Sequence, residues 1–289
     1  MIKEDAFAKF NLNLHIIPKE SKSGFYPTKF LNCQLALKDE IFFESRKQSI
    51  EVFCENKNVP KGKNNLVERA ALLLKKISSG KNLGAKIILV KKIPIKAGFG
   101  GGSSDAAATI RGLQKLWKIE ISGSQLEELT KELGQDFFYS YFGALSQFEG
   151  EDNRYRTIPF AYKLPEIEML IVEPKAQKPS SAWMYNHLIT KNIGRNLRKL
   201  ELLKGAIAEN NCEAILDNLH NDFEGSVMSF YPVVKEIKDD LKNVGARRAI
   251  LAGAGLAVVG FFNSKEAVKR ASDSLRKRYK QVIITKPKN

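Results

Sequence analysis

The 289-residue chain is 43% hydrophobic and 27% charged, ordinary for a globular protein and long enough for a large core, more often built as two domains than one. Its 47 basic against 32 acidic residues leave +15, a balance that attracts polyanions such as nucleic acids, acidic membranes and phosphorylated metabolites. No apolar run approaches the ~20 residues that span a bilayer. Cys33, Cys54 and Cys212 are odd in number and lack metal-ligand spacing, which argues for reduced thiols in the cytoplasm.

The opening "MIKEDAFAKFNLNLHII" has no basic region followed by a long apolar core and cleavage site, so it does not read as a signal peptide. Within it "AFAKFNLNLHII" alternates apolar and polar residues, the pattern of a half-buried strand. "SKSGFYPTKF" reads as a turn-rich loop, and "CQLAL", "EIFFES" and "IEVFC" as strands. "LVERAALLLKKI" is an amphipathic helix and "AKIILVKKI" a strand. After a glycine cluster a helix is expected from about Ser104 to Trp117, then a second, "SGSQLEELTKEL", with a serine cap.

"GALSQFEGEDN" reads as strand and turn, and the pattern restarts with the buried strand "IEMLIVEP". "PSSAWMYNHL" opens a helical region that runs to about Val244. "RRAILAGAGLAVVGFF" then gives strand, glycine turn and strand, before a last helix and the strand "QVIIT". This order predicts an α+β fold with a sandwich in the second half, divided into residues 1–155 and 156–289. From Ser264 onward nine Lys/Arg face two Asp/Glu, broken at helical spacing by Ala267, Ala271 and Leu275, as on the solvated basic face of an amphipathic helix.

The densest chemical signal is "KKIPIKAGFGGGSSDAAATI", Lys91 to Ile110. Gly98, Gly100, Gly101 and Gly102 link a strand to a helix whose first N–H groups lack internal partners. A loop without side chains lets a phosphate approach those amides. Ser103 and Ser104 add hydroxyls for phosphate or phosphate-bound Mg2+, and the alanines let the helix pack closely. The segment lacks the lysine and Ser/Thr pair of the common NTPase loop, and it lacks Rossmann spacing.

"PIKAGFGGGSSDAA" resembles the phosphate-binding motif of the GHMP kinases. "AFAKFNLNLHI", "NNLVERAALLL", "LGQDFFYSYFGALSQFEGE", "NDFEGSVMSFYPVVKEIKDDL" and "LAGAGLAVVGFF" resemble further segments of that superfamily in the right order, over nearly the whole chain. The likeness is strongest to the branch that acts on a cytidine-diphosphate-linked methylerythritol. It implies a ribosomal-protein-S5-like N-terminal domain and a ferredoxin-like C-terminal one. It also implies ATP as phosphoryl donor, Mg2+ bound with it, and a small polyol substrate in place of nucleic acid or membrane.

Carried over by motif, Asp136 is the expected base and Lys9 its electrostatic partner, since an ammonium favours the ionised carboxylate and can hold the hydroxyl or the transferring phosphoryl. Asn65, Gly98, Gly100, Gly101, Gly102, Ser103 and Ser104 are expected to bind ATP; Asn65 would serve equally as a helix cap. Asn11, Tyr26, Gly253 and Gly255 are expected to bind the substrate. Tyr26 stands where the family has a histidine on the cytosine ring; it can stack on a base or simply fill its loop with Phe25 and Pro27. Phe137 replaces a proline, and Ala252 and Ala254 remove hydroxyls from the last glycine motif, leaving backbone N–H groups for contacts there. Lys96, just before the glycine loop, is placed to contact phosphates, but a lysine in so basic a chain needs no special role and it stays outside the expected site. The alternatives are a GHMP kinase for another alcohol, such as homoserine or a mevalonate derivative, a catalytically silent relative, and a basic nucleic-acid-binding protein. Against the last, the basic residues lack interleaved aromatics and no DNA- or RNA-reading motif is visible.

Overall fold

The computed structural model describes residues 1–18, 26–78, 82–151 and 154–288, so the first half of the loop expected over "SKSGFYPTKF", at 21–25, lies outside the described residues. The chain gathers into two compact units, Met1–Lys9 with Leu37–Ile95 and Gly100–Gly143, and Phe10–Ala36 with Lys96–Phe99 and Ala144–Asn289. This partition differs from a single cut near residue 155. The first two strands, β1 (Ile2–Ile16) and β2 (Thr28–Arg46), are 15 and 19 residues long, and each gives one end to either unit. The runs "CQLAL" and "EIFFES" are thus one continuous strand, because no Gly or Pro separates them.

In the first unit the strand order is β3-β4-β2-β1, with β3 at Ile50–Phe53 and β4 at Gly84–Val90. β2 pairs antiparallel with β4 (Ile41↔Leu89, Phe43↔Ile87), and β3 runs parallel to β4. Helix α1 (Leu66–Ile77) buries Val67, Ala70, Ala71 and Leu74, the spacing of one helical face. Helix α2 (Gly101–Trp117) begins three residues earlier than the sequence predicts, so two of the glycines form its first turn. Its Ala106, Ala107, Ala108, Ile110 and Leu113 join Ala6, Ile41, Phe43 and Ile87 in one core. Helix α3 (Gly123–Leu133) opens on a reciprocal cap: Ser122 Oγ accepts from Gln125 N at 3.2 Å and Gln125 Oε1 from Ser122 N at 2.8 Å. Helix α4 (Gln135–Phe142), which the sequence reading leaves unassigned, follows Gly134 and drives Phe137 into the core.

The second unit has two sheets. In one the order is β8-β1-β2-β5-β6, with β5 at Ser146–Glu151, β6 at Arg154–Pro159 and β8 at His220–Asn221. The other is antiparallel, β11-β7-β10-β9, from β7 (Glu168–Glu173), β9 (Arg248–Leu251), β10 (Val258–Phe262) and β11 (Gln281–Thr285). Between β7 and β9 come α5 (Ser181–Asn186), α6 (Arg198–Ala208), α7 (Cys212–Asp217), α8 (Glu224–Phe230) and α9 (Val233–Asn243). β10 is buried along its whole length beneath α9 and α10 (Lys265–Leu275). α10 leaves Lys265, Lys269 and Arg270 in solvent, the basic face the sequence predicts, and turns Ala271 and Leu275 inward with Val268, while the expected Ala267 is only half-buried. The α+β class holds throughout. Among the described residues no helix is long and apolar enough to cross a membrane.

Candidate active site

In the first unit the start of α2 is an uncapped helix end, a kind of terminus that suits an anion. Its N-cap Gly100 sits at φ 61° with no side-chain cap, and no acidic residue lies in the first turn. The first helical bond runs from Ser104 N to Gly100 O at 2.8 Å, so the N–H groups of Gly101, Gly102 and Ser103 have no partner within the helix. Beside this end lies an ion pair, Lys9 Nζ to Asp136 Oδ1 at 3.3 Å, with Lys9 buried and Asp136 about a third open to solvent. A side-chain carbon added at Gly100 would lie 2.8 Å from Lys9 Cγ and 3.6 Å from Asp136 Oδ2, so pair and helix start adjoin and only glycine fits between them. Asp136 occupies the first turn of α4, where the helix dipole favours a carboxylate.

Two expected ligands have other work in the structure. The Ser104 hydroxyl is buried and donates to Phe7 O at 2.6 Å, tying α2 to β1. Asn65 caps α1, its Oδ1 accepting from Val67 N at 2.9 Å. Ser103 stays half-buried in the first turn of α2, and Gly102 is exposed beside Leu66. Gly101 points inward: an added carbon would meet Ile93 Cγ2 at 2.9 Å and Lys91 Nζ at 3.0 Å.

That lysine belongs to a buried cluster that sequence reading missed. Lys91 Nζ donates to Asp39 Oδ2 at 2.5 Å and to Asp105 Oδ2 at 2.6 Å. Asp39 Oδ1 accepts from the backbone of Lys92 at 2.5 Å and Ile93 at 2.8 Å, fixing the strand exit under the helix start. Burial pushes Asp105 up to about 8, with the Asp39 charge adding to the shift and the Lys91 ammonium opposing it. The available signal was a carboxylate placed among alanines on the core-facing side of a helix, where an ion needs a partner.

In the second unit the glycines of the two loops meet backbone to backbone. A carbon added at Gly98 would lie 1.8 Å from Ala252 O, and one at Gly255 would lie 2.0 Å from Ala97 O. Each glycine is therefore required by the close approach itself. Gly253 has φ 51°, close to Gly98 O and Asn11 Oδ1. Asn11 is buried and donates from Nδ2 to Asn32 Oδ1 at 2.6 Å. Asn221 pins the turn, its Nδ2 donating to Leu251 O at 2.9 Å and Gly253 O at 2.8 Å. Tyr26 is half-buried just before β2; its neighbour Phe25 lies outside the described residues.

Among the described residues one group has metal-type ligands, His15, His220 and Asp222, with ligand atoms within 4.8 Å of one another. It does not suit Mg2+, which prefers oxygen. The two imidazoles stack at 4.8 Å, so their in-plane lone pairs do not converge. Asp222 meanwhile accepts from His220 Nε2, Ile16 N and Gly194 N at 2.7, 2.8 and 3.1 Å.

An amide-lined helix start beside a lysine–carboxylate pair suits phosphoryl transfer, and the chain matches the GHMP kinases N terminal domain over residues 65–144 and the GHMP kinases C terminal domain over 201–281. The class is therefore that of the GHMP small-molecule kinases. The chain is 32% identical over 283 residues to a 4-diphosphocytidyl-2-C-methyl-D-erythritol kinase of Acetivibrio thermocellus, covering 97% of this chain and 96% of the relative. It is 33% identical over 287 residues to the Chlorobium phaeobacteroides protein of the same name, covering 98% and 94%. A crystal structure of a 4-(cytidine 5'-diphospho)-2C-methyl-D-erythritol kinase superposes over 100% of both chains with a TM-score of 0.82 at 26% identity. An L. major mevalonate kinase, at 12% identity and a TM-score of 0.77, shares the fold. This chain belongs to the 4-diphosphocytidyl-2-C-methyl-D-erythritol kinase family.

Proposed function

We propose that this chain transfers the γ-phosphoryl group of ATP to the 2-hydroxyl of 4-diphosphocytidyl-2-C-methyl-D-erythritol, a step in isoprenoid precursor synthesis. The observation that carries the chemistry is the Lys9–Asp136 pair at 3.3 Å beside the start of α2. In this reading the Asp136 carboxylate accepts the proton of the attacking hydroxyl. The Lys9 ammonium holds that carboxylate in place and faces the negative charge that develops on the transferring group. The N–H groups of Gly101, Gly102 and Ser103 hold phosphate oxygens, at no cost in reorganisation because the helix already aims them.

Mg2+ would neutralise phosphate charge when bound with ATP. The Ser103 hydroxyl and the partly open Asp136 carboxylate are oxygen donors of the kind it takes, and a cation held mainly by phosphates needs few protein ligands. Acceptor contacts are assigned to Asn11, to Tyr26 and to the backbone at Gly253 and Gly255, and adenine contact to Asn65. The free thiols of Cys33, Cys54 and Cys212 support a reducing compartment, the cytoplasm.

The test mixes purified protein, MgATP and a panel of alcohols that includes the cytidine-linked methylerythritol, homoserine and mevalonate, and follows ADP release. Release with the cytidine compound is expected. Release with another alcohol and none with that one sinks the substrate assignment.

A further inference from the structure

The loop after β7 contains a burial pattern that hydrophobicity does not explain. Lys175, Ala176, Gln177, Pro179 and Ser180 are exposed, whereas Lys178 between them is only 6% exposed. The loop turns one of its two lysines, Lys178, inward and leaves Lys175, Ala176 and Pro179 in water. Lys9 and Lys91, the comparably buried lysines of the first unit, each meet a carboxylate. Lys178 meets none among the described residues; its contact is a long one, Nζ to Ser181 Oγ at 3.4 Å.

A buried ammonium without a counter-charge is costly unless something anionic completes it. Burial, and next the charge of Lys96, pull Lys178 down to about 8. Lys96 is itself exposed and held at φ 60°, an uncommon conformation for a non-glycine residue. The Lys96 charge is felt at Lys178, so the second unit holds a buried, carboxylate-free cation with a second, solvent-exposed cation in its electrostatic reach.

We propose that Lys178 and Lys96 form a binding site for a phosphate group of a substrate, with Lys178 as its buried floor and Lys96 at its open rim. The inference rests on the kinase reading only for which phosphate arrives, since both the nucleotide and a diphosphate-linked acceptor carry one. Two ammonium groups suit a multiply charged anion, which each can meet with charge-assisted hydrogen bonds.

The test uses the full chain with Lys178→Met, of similar length and no charge, and Lys96→Ala at the exposed position. Pyrophosphate alone, followed by thermal shift, gives a readout that needs no turnover. It is expected to stabilise the wild type and to stabilise both variants less, the start of α2 keeping its own share of the shift. Of the KM values for MgATP and for the cytidine-linked acceptor, one is expected to rise about ten- to hundredfold, and which one names the source of the phosphate. Without ligand, Lys178→Met is expected to melt higher than wild type, where a merely structural lysine would lose stability. Should Lys178→Met fail to fold, Lys96→Ala decides alone. A wild type that pyrophosphate does not stabilise, or unchanged KM values together with an unchanged shift in Lys96→Ala, overturns the proposal. A pyrophosphate shift reduced in the variants of a protein that phosphorylates none of the alcohols upholds it and sinks the substrate assignment instead.

Discussion

The two units treat buried charge in opposite ways. In the first, Lys9 is matched by Asp136 and Lys91 by Asp39, with Asp105 as a second hydrogen-bond partner, so each buried cation carries its counter-charge with it. In the second, Lys178 lies inside without a carboxylate, and neither ring nitrogen of the fully buried His15 has a hydrogen-bond partner among the described residues. A matched charge is complete in the free protein and can be preorganised for chemistry or for holding a loop. An unmatched one leaves the free protein sensitive to ligands and to pH.

The comparison predicts where each change will be felt. Asp136→Asn keeps the shape of the pair and removes the base, so turnover should fall on the order of 10²–10⁴-fold with the melting temperature nearly unmoved. Steady-state rates and a melting curve on one preparation check this; near-normal turnover removes Asp136 from the mechanism. Lys91→Met should act on stability instead. It leaves Asp39 and Asp105 facing each other without their cation, and urea unfolding should show a loss of about 3–5 kcal/mol.

His15 tests the unmatched side. Burial, then the neighbouring His220 and, more weakly, Lys199, hold its pKa down to about 4 against the pull of Asp222. The unfolded chain therefore binds the proton more readily between about pH 6.5 and 4, and stability should drop as pH falls through that window. His15→Phe should flatten that acid limb; a limb as steep as wild type would show that His15 does not cause it. The smallest effect is expected at Asp105. With its carboxyl raised to about 8, it holds a proton in the folded state that the unfolded chain has released above about pH 4, so it subtracts stability as pH rises from about 4 to 8. Asp105→Asn should leave stability within about 1 kcal/mol near pH 7 and remove that downward slope. A large loss at neutral pH would mean that the ionised carboxylate is needed.

Legibility in the sequence followed the range of the interaction. The α1 boundaries, the Ser122 cap and the outward basic face of α10 rest on contacts within a few residues, and all were readable. The glycine cluster announced a helix start for the same reason, but not that Gly101 and Gly102 lie inside the helix. What escaped depends on partners distant in the chain. The Asp39–Lys91–Asp105 cluster, the Asn221 clamp and the hydroxyl of Ser104 bonded to Phe7 join residues that no local pattern links. The motifs mark Gly98 and Gly255 as ligand contacts, while in the structure the nearest atoms to each belong to the other's loop. A single sequence shows that glycine is needed there but not what presses on it.

The seating of Gly98 against Ala252, and of Gly255 against Ala97, also orders events during synthesis. The loop is made early, and its counterpart leaves the ribosome on the order of ten seconds later at typical elongation rates. Until then the loop can close on nothing, and the entropy of joining such distant segments keeps it open. A nascent chain stalled before the turn at 252–255 would hold the helices of the first unit while residues 96–99 still lacked their seat within the second. Competence to act on substrate should therefore arrive as a late step, when the hairpin of β9 and β10 closes.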